Sequence, residues 1–253
     1  MCALTPAVFL GERAQLESGR FTLTGPEGRH ATTVRRLAVG EPVDVTDGAG
    51  LLVRCEVAGV RAGELDLAVV ARHAEPEPRC RVVVVQAILK GDRGELAVEL
   101  MTEVGVDEIV PWAAQRCIAR WRPDRADKAL ARWRSTAREA GKQSRRARFP
   151  VVTGQADNSE VLARVAGASL ALLLDPDAER RLADVDLPRN GEIALIVGPE
   201  GGVSESETAD LVGGGALPVR LGPSVLRGST AGAVAGALVL SGCGRWERAA
   251  GGR

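Results

Sequence analysis

Three segments rich in glycine and proline each follow an apolar run of the sequence, and together they could hold a small ligand. They are residues 174–176, 198–202 and 221–231. Glycine allows a ligand to approach the main chain closely and supplies backbone conformations with positive φ. The alternative for each segment alone is a tight turn between a strand and a helix. Three such segments at neighbouring strand ends favour a ligand site.

A second candidate is an arginine-rich window at residues 116–148. The whole chain has a formal net charge of zero, but this window carries 12 basic and 3 acidic side chains, a net charge of +9. Clustered guanidinium groups are typical of a surface that binds a nucleic-acid phosphate backbone. Each planar guanidinium can donate hydrogen bonds to two phosphate oxygens at once. The alternative is a solvated helix face with internal ion pairs. Aromatic residues make up only 3%, so bound RNA would be held mainly by arginine, main-chain amides and shape.

The motifs of several other enzyme classes are missing from the sequence. It contains neither G-x-G-x-x-G nor the phosphate-binding G-x-x-x-x-G-K-[ST] pattern. The chain has only two histidines, His30 and His73. This number makes a histidine-based catalytic triad or a histidine-ligated metal site poorly supplied, and we expect no metal. His30 is either a surface histidine or one that helps to grip a ligand. His73 falls in a polar segment, where we expect it to be solvated.

Composition places the chain among average globular proteins, with 45% hydrophobic and 26% charged residues. Its five cysteines are scattered, and none forms a C-x-x-C pair, which predicts reduced thiols and a cytoplasmic location. No apolar run reaches 18 residues, and the N-terminus shows no signal peptide pattern. We therefore expect no membrane association.

Residues 1–72 alternate short strands with turns, which predicts a small β-barrel. Strands are expected at residues 42–46, 51–57 and 64–70, with a hairpin turn at Asp47-Gly48. Residues 73–78 are polar and contain proline, and we interpret them as a linker.

The remainder alternates strands with helices, which predicts an α/β domain with a parallel sheet. Strands are expected at residues 82–85, 109–110, 170–174, 193–197 and 219–221. Helices are expected over residues 94–104, from a cap at Asp124, and from about Thr230 to Leu240. Ser204 and Glu207 have the spacing of a capping box. The long helix has an apolar stripe with the arginines largely off it: Ala126, Leu130, Trp133, Ala137, Ala140 and Ser144.

Five motifs, in this order, resemble the RsmE-type 16S ribosomal RNA uridine-N3 methyltransferases of the SPOUT superfamily. The resemblance covers almost the whole chain. The motifs are His30-x-x-x-Val34-Arg35-Arg36 with Gly40 and Asp47-Gly48; Lys90-Gly91-Asp92-Arg93 with Glu103-x-Gly105-Val106; Arg132-Trp133 with Glu139-Ala140 and Gln143-Ser144-x-Arg146; the segment 198–202; and the segment 221–231.

The resemblance implies a fold, a cofactor and a substrate. The fold would be a small N-terminal PUA-like β-barrel over residues 1–72, followed by a SPOUT-type α/β domain over residues 79–247 with a C-terminal trefoil knot. The cofactor would be S-adenosylmethionine. The substrate would be one uridine of 16S rRNA, within the 30S subunit, and the enzyme would act as a homodimer.

Candidate site residues fall into three groups. The cofactor would be held by Leu174, Gly198, Glu200, Gly202, Leu221, Leu226 and Thr230. The RNA would be contacted by His30, Arg35, Arg36, Arg138, Gln143 and Arg145. Arg146 and Arg227 would be catalytic, because a cation near the uracil ring stabilises the negative charge that develops when N3 loses its proton. The general base is open between Glu139, Glu200 and water. Ser229 stands where the family usually has Glu.

Two other functions are compatible with parts of the sequence. One is an RNA-binding protein without catalysis, which would use the barrel and the basic helix. The other is a small-molecule α/β enzyme such as an oxidoreductase. The missing dinucleotide motif and the basic window both argue against the oxidoreductase.

Overall fold

A computed structural model describes residues 6–247, and within them the chain divides into two compact units. The first comprises the described residues up to Glu77 together with Gly141–Phe149. The second comprises Pro78–Ala140 and the described residues from Pro150 onward. The two domains expected from sequence, residues 1–72 and 79–247, are each continuous in the chain. In the structure, the first unit also includes the later segment Gly141–Phe149. No helix of the described residues is long and apolar enough to cross a membrane.

The first unit is built on one five-stranded sheet. Its strands are β1 (Ala7–Leu10), β2 (Arg20–Leu23), β3 (Pro42–Thr46), β4 (Leu51–Arg61) and β5 (Glu64–Ala74), in the spatial order β1-β3-β4-β5-β2. Strands β1 and β3 run parallel, and the other pairs are antiparallel. Two short helices, α1 (Arg13–Leu16) and α2 (Gly25–Arg29), and a π-helical segment (His30–Val34) complete this unit's described elements.

Alternating side chains of these strands form the core of the first unit. Val53, Cys55 and Val57 of β4 are buried while Arg54 and Glu56 between them are exposed, which is the period-two pattern of a half-buried strand. The hairpin turn predicted at Asp47-Gly48 is present, and the Asp47 carboxylate accepts the N–H groups of Ala49 and Leu51. Strand β5 runs on to Ala74, so the expected linker position of His73 is wrong: it pairs with Leu52 in the sheet.

The second unit has a six-stranded parallel sheet flanked by helices. Its strands are β6 (Cys80–Ala87), β7 (Glu108–Trp112), β8 (Val151–Val152), β9 (Leu170–Leu174), β10 (Gly191–Val197) and β11 (Leu217–Val219), in the order β11-β9-β10-β6-β7-β8. Its helices are α3 (Arg93–Val104), α4 (Pro123–Gln143), α5 (Asn158–Gly167), α6 (Glu205–Gly213) and α7 (Gly228–Gly242). The last three residues of α4 belong to the first unit.

Both faces of the parallel sheet are buried, which explains why its central strands are continuously apolar. Side chains of β6 alternate between two core clusters, with Val82 and Val84 in one and Val83 and Val85 in the other. Helices α3 and α7 pack against each other. Gly232 permits this, because a Cβ there would lie 2.9 Å from Met101 Sδ.

The predicted α/β class with a parallel sheet is confirmed, and most predicted elements lie where expected. Several element bounds differ, of which the following are examples. Pro123, rather than a cap at Asp124, begins α4, since proline suits the first helical position. Strand β11 ends at Val219 instead of continuing to residue 221, and α7 begins at Gly228, two residues earlier than expected.

Candidate active site

A cleft of about 660 Å³ lies in the second unit at the carboxyl ends of β9, β10 and β11. These strands are neighbours in the parallel sheet, so the segments that follow them meet at one edge. The three segments predicted from sequence all contribute to the lining, together with Leu89, Arg93 and Arg116. The sequence prediction that they form one site is therefore supported by their geometry.

Main-chain contacts hold the walls of this cleft together. The Asp175 N–H donates to the Val219 carbonyl at 3.0 Å, which joins the ends of β9 and β11. A Cβ on Gly228 would lie 3.0 Å from Leu89 Cδ2 and 3.4 Å from the Gly198 carbonyl oxygen. A side chain at Gly228 would therefore require Leu89 to shift slightly, whereas the distance to the segment after β10 is an ordinary van der Waals contact.

The segment 198–202 forms a tight turn with one polar anchor. The Gly202 N–H donates to the Pro199 carbonyl at 2.9 Å, and Gly202 has φ +72°. Glu200 Oε1 accepts the Lys90 N–H at 3.2 Å and an Arg93 guanidinium N–H at 3.5 Å. The carboxylate of Glu200 thus fixes the turn to the residues that lead into α3.

The capping box at the start of α6 is confirmed and is tied to the loop after β7. Ser204 accepts the Glu207 N–H, and Glu207 accepts the Ser204 N–H. The buried carboxylate of Glu207 also accepts the Gln115 N–H at 2.8 Å. Burial acts to raise the pKa of Glu207, but these hydrogen bonds outweigh it and hold the pKa below its ordinary value of 4.5.

The segment before α7 places an arginine and two apolar side chains at the cleft. Val225, Leu226 and Arg227 line it and are exposed. The Arg227 carbonyl accepts the N–H and the hydroxyl of Thr230, the latter at 3.1 Å. The Thr230 side chain is therefore bound to its own helix end.

Predicted cofactor residues are mostly brought together. Six of the seven line the cleft, and Thr230 is absent from the lining. They are Leu174, Gly198, Glu200, Gly202, Leu221 and Leu226. Of the two predicted catalytic arginines, Arg227 lines the cleft, whereas Arg146 belongs to the first unit.

Sequence reasoning assigned no individual role to several residues that line the cleft. Leu89, Arg93, Arg116, Asp175 and Asp177 are examples. Arg93 was recognisable only as part of a family motif. Asp175 lies in the segment 174–176, which the sequence analysis included in the ligand site, and Arg116 lies in the basic window at residues 116–148.

Most of the predicted RNA-binding residues lie in the first unit. His30 is half-buried, with its ring edge-to-face against Phe9 at 5.9 Å between ring centroids. Arg35 and Arg36 are exposed just after it, and Arg36 has φ +52°. Gln143 and Arg145 are exposed on the segment 141–149, whereas exposed Arg138 lies on the part of α4 that belongs to the second unit.

The segment 141–149 is integrated into the first unit by buried polar contacts. The Thr46 hydroxyl and the Gly50 N–H both donate to the Ala147 carbonyl at 2.9 Å. Buried Lys142 forms an ion pair with Glu27 at 2.8 Å. These contacts fix the main chain on either side of Arg145, which has φ +58°.

Fold and cleft together define an α/β protein whose cleft lies at the carboxyl ends of parallel strands, the place where such sheets bind small ligands. Among the described residues there is no group of three or more side chains that could hold a metal ion. Comparison with known proteins identifies the class. Residues 75–240 match the family described as RNA methyltransferase domain, and residues 23–70 match the RNA methyltransferase PUA domain.

Similar proteins agree with these matches. A ribosomal RNA small subunit methyltransferase E from Mycobacterium bovis is 45% identical over 230 residues, which cover 89% of this chain and 88% of the relative. The same-named protein of Bacillus subtilis is 26% identical over 85% of this chain and 87% of its own. The chain therefore belongs to the RNA methyltransferase family that contains these proteins, and the predicted resemblance is confirmed.

Solved structures show the same architecture. A methyltransferase from Legionella pneumophila, in complex with bound SAM, has a TM-score of 0.84 and 25% identity and covers 94% of this chain and 98% of its own. The ribosomal RNA small subunit methyltransferase E of Neisseria gonorrhoeae, bound to S-adenosyl methionine, has a TM-score of 0.81 and 26% identity, covering 94% and 98%. The predicted cofactor is thus the one that these two relatives bind.

Proposed function

We propose that this chain transfers a methyl group from S-adenosylmethionine to N3 of a specific uridine in 16S rRNA, with the 30S subunit as the substrate particle. The observation that carries the proposal is the cleft at the ends of β9, β10 and β11, which lies within the residues that match the methyltransferase family. The relatives' names support ribosomal RNA of the small subunit. The choice of uridine N3 rests on the motif resemblance.

The residues of the cleft fit S-adenosylmethionine. Its volume of about 660 Å³ is within the roughly 300–1,000 Å³ usual for sites of drug-sized ligands. Apolar side chains and glycine main chain at its walls suit a purine ring and the methylene groups of the methionyl chain. We propose that the cofactor is held by Leu174, Gly198, Glu200, Gly202, Leu221 and Leu226, with Thr230 fixing the start of α7.

The bound cofactor would supply an electrophilic methyl group attached to a sulfonium sulfur. Uracil N3 carries a proton and becomes a good nucleophile only when that proton leaves. The exposed guanidinium of Arg227 at the cleft can stabilise the negative charge that develops on the ring. We propose the same role for Arg146, with Glu139, Glu200 or water as the proton acceptor.

RNA contacts are proposed on both units. His30, Arg35, Arg36, Gln143 and Arg145 belong to the first unit, and Arg138 to the second. The exposed arginines among them can bind phosphate oxygens, which gives an affinity that falls with salt.

We propose a homodimer on the basis of the outer face of α7. Val234 and Leu238 are one turn apart on this helix and are 39% and 44% exposed. Apolar side chains repeated at this spacing form a stripe that a second copy could cover. Light scattering at increasing protein concentration tests the dimer, and Val234→Glu with Leu238→Glu should yield monomers.

Finer features of the fold are also part of the proposal. They are a PUA-like barrel over residues 1–72, a SPOUT domain over residues 79–247 and a trefoil knot near its C-terminus, in a cytoplasmic enzyme. An experimental structure determined with the cofactor tests these features.

The decisive experiment is a tritium-transfer assay with labelled S-adenosylmethionine. Naked 16S rRNA and 30S particles are compared, and the modified nucleotide is mapped. We expect transfer to one uridine and a block at its Watson–Crick edge, with 30S particles the better substrate. Calorimetry that detects no binding of S-adenosylmethionine would instead support an RNA-binding protein without catalysis.

A further inference from the structure

A second cleft lies in the second unit, where the chain enters α4. It has a volume of about 810 Å³. Five cationic side chains and one tryptophan line it: Arg120, Trp121, Arg122, Arg125, Lys128 and Arg132. We call it the tryptophan–arginine cleft. None of the residues that line it is acidic.

Few of these cations are neutralised within the described part of the chain. Arg132 pairs with Glu95 at 3.0 Å and with exposed Asp92 at 3.8 Å, and Arg125 contacts exposed Asp124 at 3.7 Å. Arg122 and Lys128 form no ion pair among the described residues. The cleft therefore keeps an excess of positive charge that is available to an anionic partner.

Trp121 adds a fixed aromatic surface to this charge. Its ring is half-buried and meets buried Trp133 edge-to-face, with 5.2 Å between centroids and 86° between planes. Trp133 in turn packs closely over Gly94, where a Cβ would lie 2.9 Å from the indole. Because its neighbour is held in the core, this edge-to-face contact restrains the Trp121 ring where it lines the cleft.

We infer that the tryptophan–arginine cleft binds an unpaired stretch of RNA, with phosphates on the arginines and a base stacked on Trp121. Phosphate and base are the two groups that a cation cluster beside an aromatic ring recognises. An acidic peptide would use the cations and leave the ring without a partner. The inference rests on the proposed function only in taking RNA as the substrate.

This contact would be additional to the RNA-binding residues proposed above. The sequence predicted that the RNA is held mainly by arginine, main-chain amides and shape, whereas the structure places an aromatic ring among the cations. The cleft shares no residue with the lining of the cofactor cleft. Its role would be to hold the substrate, so its loss should change RNA affinity while cofactor affinity stays the same.

The test compares Arg122→Ala/Arg125→Ala with the matched double variant Arg180→Ala/Arg189→Ala, which removes two exposed arginines of the same unit outside the cleft. The full chain is titrated into a fluorescein-labelled oligouridine at several salt concentrations. Loss of two phosphate contacts should reduce the slope of log affinity against log salt by about 1.4. The control should keep the slope of the unmodified chain, and thermal melts should show that both variants are folded.

Trp121 is tested by conservative rescue. Trp121→Leu should weaken binding of the oligouridine about tenfold, and Trp121→Phe should restore most of it, because every base can stack on either ring. The Trp121 substitutions should change the affinity for an RNA duplex less than the affinity for the oligouridine, because the bases of a duplex are already stacked on each other. Equal losses for Leu and Phe would overturn the stacking role.

Other outcomes separate this inference from the proposed function. Unchanged oligouridine affinity and salt slope in Arg122→Ala/Arg125→Ala would overturn it. The inference would also be overturned if this variant bound the oligouridine normally but no longer methylated 30S particles. That result would indicate that the cleft binds an acidic protein surface. If the unmodified chain shows the expected slopes and never transfers a methyl group, the proposed function fails and the RNA contact stands.

Discussion

The two clefts of the second unit differ in what lines them. Charges at the cofactor cleft balance, with three arginines (Arg93, Arg116, Arg227) and three carboxylates (Asp175, Asp177, Glu200). The tryptophan–arginine cleft has five cations and no acidic residue in its lining. Main chain and glycine shape the first, whereas long side chains form the second. A main-chain site is selective for the shape of one small molecule, and a charged one suits a polymer with a repeated phosphate.

The largest expected difference between the two clefts is in how strongly the affinity for each ligand depends on salt concentration. Five phosphate contacts give a slope of about −3.5 for single-stranded RNA. Raising salt from about 50 to 200 mM should therefore weaken oligouridine binding about 100-fold. Affinity for S-adenosylmethionine, measured by calorimetry over the same range, should change less than about twofold. A parallel decline of both affinities would contradict the distinction.

Gly228→Val should damage only the cofactor cleft. A Cβ at this position already meets Leu89 at 3.0 Å, and the larger side chain would enter the cleft as well. We expect affinity for S-adenosylmethionine to fall about 50-fold, or about 2.3 kcal/mol, with oligouridine affinity unchanged. Gly154→Val is the control, since a Cβ at Gly154 meets nothing within 4 Å.

Arg227→Ala should separate catalysis from binding within the cofactor cleft. Losing a cation beside the reacting ring should reduce kcat about 30-fold in the tritium-transfer assay, or about 2 kcal/mol. Cofactor affinity should change less than kcat. Arg189→Ala removes an exposed arginine that pairs with Glu247 and should leave both quantities as they are. An unchanged kcat in Arg227→Ala would remove this arginine from the mechanism.

Glu207→Gln should have the smallest effect, on stability. At neutral pH the loss of a buried charged acceptor for the Gln115 and Ser204 N–H groups should cost about 1.5 kcal/mol. Because the folded pKa of Glu207 lies below its ordinary value of 4.5, its stabilisation is present above 4.5 and is lost as pH falls through the folded pKa.

The measurement for Glu207→Gln is the free energy of unfolding by urea at several pH values. The gap between variant and unmodified chain should narrow below pH 4.5. Glu205→Gln on the exposed side of the same helix start is the control. A gap that stays constant into acid would show that the effect is steric.

Local patterns were sufficient to predict the strands and helices that form the cofactor cleft. The apolar run at 170–174 matches β9, and the pairing of Ser204 with Glu207 marked the start of α6. The order of strands in the sheet could not be predicted this way. It depends on contacts between residues far apart in the chain, such as β6 beside β10.

The same limit applied to the functional residues. Leu174 ends β9 and Gly198 directly follows β10, so their place at the sheet edge could be predicted. Trp121 could not be recognised, because its role depends on Trp133 on one side and on cations from the next turns of α4 on the other. The extension of β5 through His73 could not be predicted, because the residues at this end of the strand are exposed and lack the apolar alternation that indicates a strand.

The first unit is discontinuous in sequence, and this affects how it can form during synthesis. The hydroxyl of Thr46 and the N–H of Gly50 find their acceptor at Ala147, and the Gly48 carbonyl accepts the Phe149 N–H. A nascent chain that has reached only Glu77 lacks all three partners, so this unit cannot be completed until residue 149 has been translated. A chain truncated after β5 would carry the same deficit permanently.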